Sequence, residues 1–250
     1  MWILLTSLKS EAELVSKPIT WWPHDPTLAN YVQAFTDQPL LRYLGNSFAV
    51  AVLSTILSLF VASLAAYAIA RLNLRHRRLI LTCIVASSMF PLVTLLVPIF
   101  QTMRALNLLN TYTALVLPYT VLNLPVCTLV LVSFFQSIPK DLENAAMIDG
   151  CNRLQILTRI IIPLAVPGIV CATLFAFSLA WNDLLYSLVF ISPTEKKTLT
   201  VGVLTELIRG DVYFWGSLMG GALIGSVPVV VFYAMFMDYY VSGMTAGAIK

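Results

Sequence analysis

The run Tyr43–Ala70, YLGNSFAVAVLSTILSLFVASLAAYAIA, carries no charged side chain between Arg42 and Arg71. A helix climbs 1.5 Å per residue, so about 20 apolar residues cross a ~30 Å hydrocarbon slab. Within the run, Leu57-Ser58-Leu59-Phe60-Val61-Ala62 does not alternate polar and apolar residues as a membrane β-strand does. Backbone in lipid must satisfy its own hydrogen bonds, which favours helix. The run is read as a membrane-spanning helix over 46–70.

Four more intervals lack charge: Arg78 to Arg104, Arg104 to Lys140, Arg159 to Asp183, and Asp211 to Asp238. They predict spans near 80–102, 112–134, 164–190 and 217–238. Composition points the same way. The 250 residues are 59% hydrophobic and 11% charged, against about 25% charged in soluble domains. These values exclude a soluble globular protein, a disordered chain and a nucleic-acid binder. Met1–Leu8 is apolar, too short to span, and lacks the basic start and cleavage site of a signal peptide. It is expected to be the tail of a first span, so that five full spans follow one partial one. The expected organisation is an external segment over 9–45, a membrane domain over 46–240 containing a cytoplasmic loop at 135–163, and a cytoplasmic tail at 241–250.

Basic residues in short loops set orientation. Arg71, Arg75, Arg77 and Arg78 crowd one connection, which places that side in the cytoplasm and predicts a multi-pass protein of the inner cell membrane. Cys83, Cys127, Cys151 and Cys171 show no CxxC spacing and read as small buried apolar residues. His24 and His76 fall on opposite sides, leaving no histidine metal site. Neither a phosphate-binding P-loop nor a nucleophile elbow occurs, so catalytic and cofactor-binding residues are expected to be absent and any chemistry to come from another chain.

The cytoplasmic connection between the third and fourth intact spans reads Ser137-Ile138-Pro139-Lys140-Asp141-Leu142-Glu143-Asn144-Ala145-Ala146-Met147-Ile148-Asp149-Gly150. Pro139 suits a helix start, Asp141 and Glu143 suit the positive end of its dipole, and Gly150 suits a left-handed terminator. Leu142, Ala145 and Ala146 share a face at i, i+3, i+4 spacing. The segment has little apolar bulk and no basic face, so a small docking helix fits better than one resting on lipid.

From Asn144 the chain runs N-A-A-M-I-D-G, nine residues, then Ile160-Ile161-Ile162-Pro163. This resembles the EAA loop of ABC importer permeases, E-A-A-x3-G-x9-I-x-L-P. Leu64-Ala65-Ala66-Tyr67-Ala68-Ile69-Ala70-Arg71, Ala180-Trp181-Asn182-Asp183 and the ending Gly243-Met244-Thr245-Ala246-Gly247-Ala248-Ile249-Lys250 are similar to the second permease of the maltose-type, carbohydrate-importing branch. The resemblance implies an all-α multispan helical bundle. It implies a second homologous permease, two ATPase subunits holding ATP and Mg, an extracytoplasmic solute-binding protein and a lipid bilayer as partners. It makes 139–150 a coupling helix seated in an ATPase cleft, with Glu143, Asn144, Ala145, Ala146, Asp149, Gly150 and Pro163 as coupling residues. The motif's Glu falls on Asn144 and its Leu on Ile162, so docking by shape through Ala145, Ala146 and Gly150 is the expectation. On that basis Ala146→Arg is expected to abolish uptake while leaving insertion intact. Thr245, Ala246 and Gly247 are carried over as a tail reaching the ATPase subunits.

Asn182 and Asp183 form a polar pair inside a span, where ionisable groups face protein rather than lipid; they are candidates for the solute route or the partner interface. Asp238 reads as interfacial. Glu195, Lys196 and Lys197, in the segment 192–215, are candidate contacts for the binding protein. Trp21 and Trp22 read as an aromatic anchor. Gly216-x3-Gly220 and Gly221-x3-Gly225 predict close helix packing. The expected cargo is a sugar or glycoside, with glycerol-3-phosphate or a polyol as the alternative. An ion-coupled secondary transporter using Asp183 is the rival; the paired broken helices of an inverted repeat are not visible in the sequence.

Overall fold

The computed structural model describes residues 1–36, 39–209 and 212–246. In chain order the helices are α1 (Trp2–Ser7), α2 (Glu11–Leu14), α3 (Ala29–Thr36), α4 (Leu40–Arg71), α5 (Arg77–Ser88), α6 (Leu92–Ala105), α7 (Thr113–Ser137), α8 (Lys140–Ile148), α9 (Arg153–Ile156), α10 (Ile162–Leu164), α11 (Val166–Asn182), α12 (Leu185–Phe190), α13 (Leu199–Leu207) and α14 (Trp215–Ala246). A π-helical turn, Leu157–Ile161, joins α9 to α10. The architecture is the expected helical bundle. Its one extended feature among the described residues is a two-residue ladder, Ile208–Arg209 against Val212–Tyr213.

Among the described residues, three helices are long and apolar enough to cross a bilayer, or up to five spans if each bent pair counts as one. The first, α4, has 32 residues and starts at Leu40 rather than near 46. The span expected over 80–102 is two helices, α5 and α6, meeting at 93°. Pro91 sits in the break: it has no N–H to donate and pushes Phe90 out of the helical region. The span expected over 164–190 is likewise divided. The helix through Arg153–Leu164 turns 83° into α11, and α12 is separate beyond Asp183 and Leu184. Pro98, Pro118, Pro125 and Pro228 lie inside helices that continue past them.

Two compact units share the long helices. One comprises residues 51–99, 116–180 and 232–250. Its core joins Ala62, Ala66 and Tyr67 of α4, Leu131 and Phe135 of α7, Ala146 of α8, Ile156, and Ala172 and Ala176 of α11. Small residues let backbones approach: a Cβ added at Gly168 would lie 2.3 Å from the Phe134 ring. Buried amides and thiols find carbonyl partners, with Asn123 Nδ2 donating to Ala176 O at 3.2 Å and Cys127 Sγ to Ala172 O at 3.7 Å. Cys127 and Cys171 are buried as expected, whereas Cys83 is exposed on α5.

The other unit comprises residues 1–50, 100–115 and 181–231. Here the segment expected to be an external loop over 192–215 contains α13, whose Leu199 and Val201 are buried. The glycine pairs of α14 work as expected from their spacing. Gly225 faces Leu199, Gly221 faces Val203, and Gly216 lies against Asn30 with no room for a Cβ. The amide of Asn30 donates to the carbonyls of Ser7 and Lys9 at 2.8 and 2.7 Å. The Trp2 and Trp21 rings meet edge to face at 5.6 Å, while Trp21 and Trp22 stay largely exposed.

Candidate functional site

Helix α8 forms for local reasons. Pro139 precedes it with extended backbone, and Asp141 and Glu143 occupy its first turn, where negative charge suits the unpaired N–H groups. At the other end Gly150 adopts φ +83°. Its N–H donates to Met147 O at 3.1 Å and that of Cys151 to Ala146 O at 2.9 Å, the paired bonds of a Schellman terminator. Asn152 and Gln155 then cap α9 reciprocally. A Cβ at Gly150 meets nothing within 4 Å, so only the dihedral opposes a side chain. Gly150→Ala is expected to cost about 1–2 kcal/mol and to show as lost hydrogen-exchange protection at the Gly150 and Cys151 amides.

The inward face of α8 is not the one the docking reading assigned. Ala146 is buried in its own unit's core, as is Glu143. Leu142, Asn144, Ala145, Ile148 and Asp149 are exposed. Ala145 thus remains on the outward face with Leu142, but Ala146 is turned from it. The reason is a buried charge. Glu143 Oε1 lies 2.7 Å from Arg71 Nε, with the two side chains 5% and 2% exposed. Their contact is ionic rather than an aligned hydrogen bond. The guanidinium's Nη2 donates to Ile138 O at 2.6 Å, and the Tyr67 hydroxyl donates to Glu143 Oε2 at 3.4 Å. Tyr67 and Arg71 are one turn apart on α4 and so share a face. Removing one member of such a pair strands a buried charge, at a cost of about 3–5 kcal/mol. Once Glu143 is drawn in, the i+3 residue Ala146 follows it. Pro163, in α10, is exposed.

Asn182 and Asp183 part company. The Asp183 carboxylate accepts the N–H groups of Tyr186 and Ser187, both at 3.1 Å, holding the start of α12, while its backbone carbonyl accepts from Thr200 Oγ1 at 2.7 Å. Asn182 instead lines a cavity of about 490 Å³ with Trp181, Thr200, Gly221, Gly225 and Ser226. The Trp181 indole N–H donates to Gly225 O at 3.1 Å, which fixes that wall. Polar groups from three helices converge on an otherwise apolar space, a composition typical of small-molecule sites.

Glu195 is exposed, but Lys196 and Lys197 point back into the chain. Lys196 Nζ donates to Asn110 O at 2.8 Å and Lys197 Nζ to Thr205 Oγ1 at 3.0 Å. This turn is gripped from α4 as well: Asn46 Nδ2 donates to the carbonyls of Glu195 and Lys197, both at 2.9 Å. Asn46 Oδ1 in turn accepts the Tyr112 hydroxyl at 2.8 Å. Thr245 and Ala246 fall in the last turn of α14; Gly247 lies outside the described residues, as does the side chain of Asp238.

Reasoning from sequence missed Arg71, Tyr67 and Asn46. Arg71 entered as a topology marker and, with Tyr67, as part of the stretch that carries the resemblance, with no contact assigned to either. A cation closing the apolar run was the available signal, since such an end must either reach water or find a carboxylate.

Residues 54–246 match the family described as binding-protein-dependent transport system inner membrane component. The whole chain is 58% identical to 87% of the sulfoquinovosyl glycerol transport system permease protein SmoH of Agrobacterium fabrum. It is 36% identical to 90% of the trehalose/maltose transport system permease protein MalG of Thermococcus litoralis. Among solved structures, a bacterial ABC transporter involved in the import of the acidic polysaccharide alginate superposes with a TM-score of 0.82 at 23% identity, covering 96% of this chain and 89% of that one. The long apolar helices, the α8 loop and the match from Ser54 to Ala246 agree, and the chain belongs to the binding-protein-dependent inner membrane components, the permease subunits of ATP-binding-cassette importers.

Proposed function

We propose that this permease carries a sugar glycoside inward by alternating access. It does so as half of a translocation path completed by a second permease, with two ATPase subunits inside and a solute-binding protein outside. The observation that carries the reading is 58% identity along the entire chain to a permease whose name specifies sulfoquinovosyl glycerol. Supporting it, α8 presents Leu142, Ala145 and Ile148 outward as a compact face, suited to an ATPase cleft, with Asn144 able to hydrogen-bond at its edge. ATP and Mg are held by the ATPase pair, whose closure draws α8 with it. A ligand that binds one conformation better shifts the population toward it, so binding-protein docking and ATP act on one equilibrium. Thr245, Ala246 and Gly247 are assigned to the same cytoplasmic side, and Glu195 to the face that meets the binding protein.

Asn182, Thr200 and Ser226 line a cavity with no charged side chain in its wall among the described residues. That suits the hydroxyls of a sugar ring and leaves any anionic group of the cargo to the second permease or the binding protein. Uptake of radiolabelled sulfoquinovosyl glycerol, trehalose and glycerol-3-phosphate into cells carrying the complete importer tests the reading. Uptake of a glycoside that stops when the ATPase is inactivated is expected. Transport that survives that loss but collapses with an uncoupler would establish the ion-coupled rival, and transport of glycerol-3-phosphate alone would move the cargo class.

A further inference from the structure

Helix α4 is held by side chains near both of its ends. At one, Arg71 makes a buried ion pair with Glu143 of α8 and donates to Ile138 O, the residue just before that helix. Near the other, Asn46 grips the 195–197 turn through two backbone carbonyls and is itself fixed by Tyr112. Between them α4 runs as one helix, with no proline inside it to soften it. Neither attachment is an apolar contact that slides. Each pairs a buried polar side chain, Arg71 or Asn46, whose alternative is to go unpaired, so each holds a defined register.

We propose that α4 is the transmission element of the transporter. The Arg71–Glu143 pair ties it to the coupling helix, and Asn46 ties it to the turn assigned to the binding-protein side. This rests on the proposed function, because α8 must meet an ATPase for the tie to carry force. Arg71 and Asn46 are positioning residues: they touch neither nucleotide nor cargo. Breaking either clamp disconnects the two sides without removing the face that docks. Coupling between distant sites needs an element with two arrangements that both sites bias, and α4 is the one helix among those described that has a side-chain clamp to both α8 and the 195–197 turn.

The complete importer, reconstituted in liposomes, provides the test. ATP hydrolysis is measured alone and with binding protein saturated with sulfoquinovosyl glycerol. Arg71→Gln and Asn46→Leu are expected to keep the ATPase subunits bound in full stoichiometry and to keep basal hydrolysis within about twofold of the unmodified complex. Stimulation by the loaded binding protein is expected to fall at least tenfold in each. Because Arg71→Gln leaves Glu143 buried without its partner, the neutral double variant Arg71→Gln with Glu143→Gln is the companion. It is expected to fold normally and to be uncoupled no further than Arg71→Gln alone, as for residues acting through one contact. Asn46→Leu leaves every charge in place and reads the far clamp independently. Stimulation unchanged in the variants while the unmodified complex responds would overturn the role of α4 and leave the importer reading intact. Release of the ATPase subunits by Arg71→Gln would also overturn it, showing that the pair only shapes α8 for docking. An unmodified complex without any stimulation would sink both readings together.

Discussion

Ala145→Arg is expected to abolish uptake while the protein still folds and inserts. Ala145 lies on the exposed face of α8, beside Leu142 and Ile148, and an exposed helical Ala→Arg change is nearly neutral for the helix itself. What it alters is the surface offered to a neighbour. A long, hydrated cation cannot be seated where a methyl fits without leaving its charge desolvated, so loss of ATPase binding should drive transport below detection. Ala146→Arg, one residue on, is expected to fail earlier and differently. Ala146 packs in the core with Tyr67, Ile138 and Leu157, so its arginine would be buried in the permease itself, costing more than about 3 kcal/mol. Membrane levels and the thermal midpoint of purified protein separate the two. Ala145→Arg should match the unmodified protein in both, and Ala146→Arg should be scarce and unstable. Equal stability of the two variants would contradict the orientation of α8.

Gly202→Leu should be the most damaging single change in the unit that holds the cavity. A Cβ at Gly202 would lie 2.3, 2.5 and 2.8 Å from three carbons of the Tyr43 ring, and that ring is completely buried. It has nowhere to go. Overpacking a tight core typically costs about 1–3 kcal/mol, and here the backbone of α13 would have to retreat from α4. Since Thr200 and Leu199 lie in the same stretch and line the cavity, the change should also reduce glycoside transport in whatever fraction folds. Gly45→Ala is the matched control. Nothing lies within 4 Å of the added Cβ, and within α4 the change should stabilise by about 0.5–1 kcal/mol. Thermal unfolding of the two variants in detergent should move in opposite directions.

Much of the fold was legible in one dimension because lipid imposes a one-dimensional rule. Uncharged runs of sufficient length must be helical, and charges mark where they end. That rule found α4, α7 and α14, although α4 starts at Leu40 rather than 46 and α14 runs to Ala246 rather than 238. It located 80–102 and 164–190 as spans but not their bends, because a count of charge is blind to direction. Pro91 permitted the first bend and the Ala165 junction marks the second, but a proline also sits unbroken inside α6, α7 and α14. Likewise α13 read as loop because its 9 residues are too few to span and charged residues lie close on both sides. Its burial depends on Tyr43 and on the α14 glycines, which are far away in sequence.

The candidate site divides along the same line. The start, end and cap chemistry of α8 were set by Pro139, Asp141 and Gly150, all within a dozen residues, so local stereochemistry sufficed to place the helix and its terminator. Which side of α8 faces inward was a tertiary decision. Two adjacent alanines are equivalent to any local rule, and only contacts across the fold, Arg71 with Glu143 and the apolar core packed around Ala146, decide between them. In the same way Asp183 looked like the chemically active member of its pair, and the tertiary structure consumed it in holding α12 while leaving Asn182 to the cavity. Apolar length and helix-end chemistry are properties of neighbours along the chain, so the sequence by itself determined the long helices and α8. Charge pairing and burial are properties of neighbours in space, so the fold decided what each face of those helices is for.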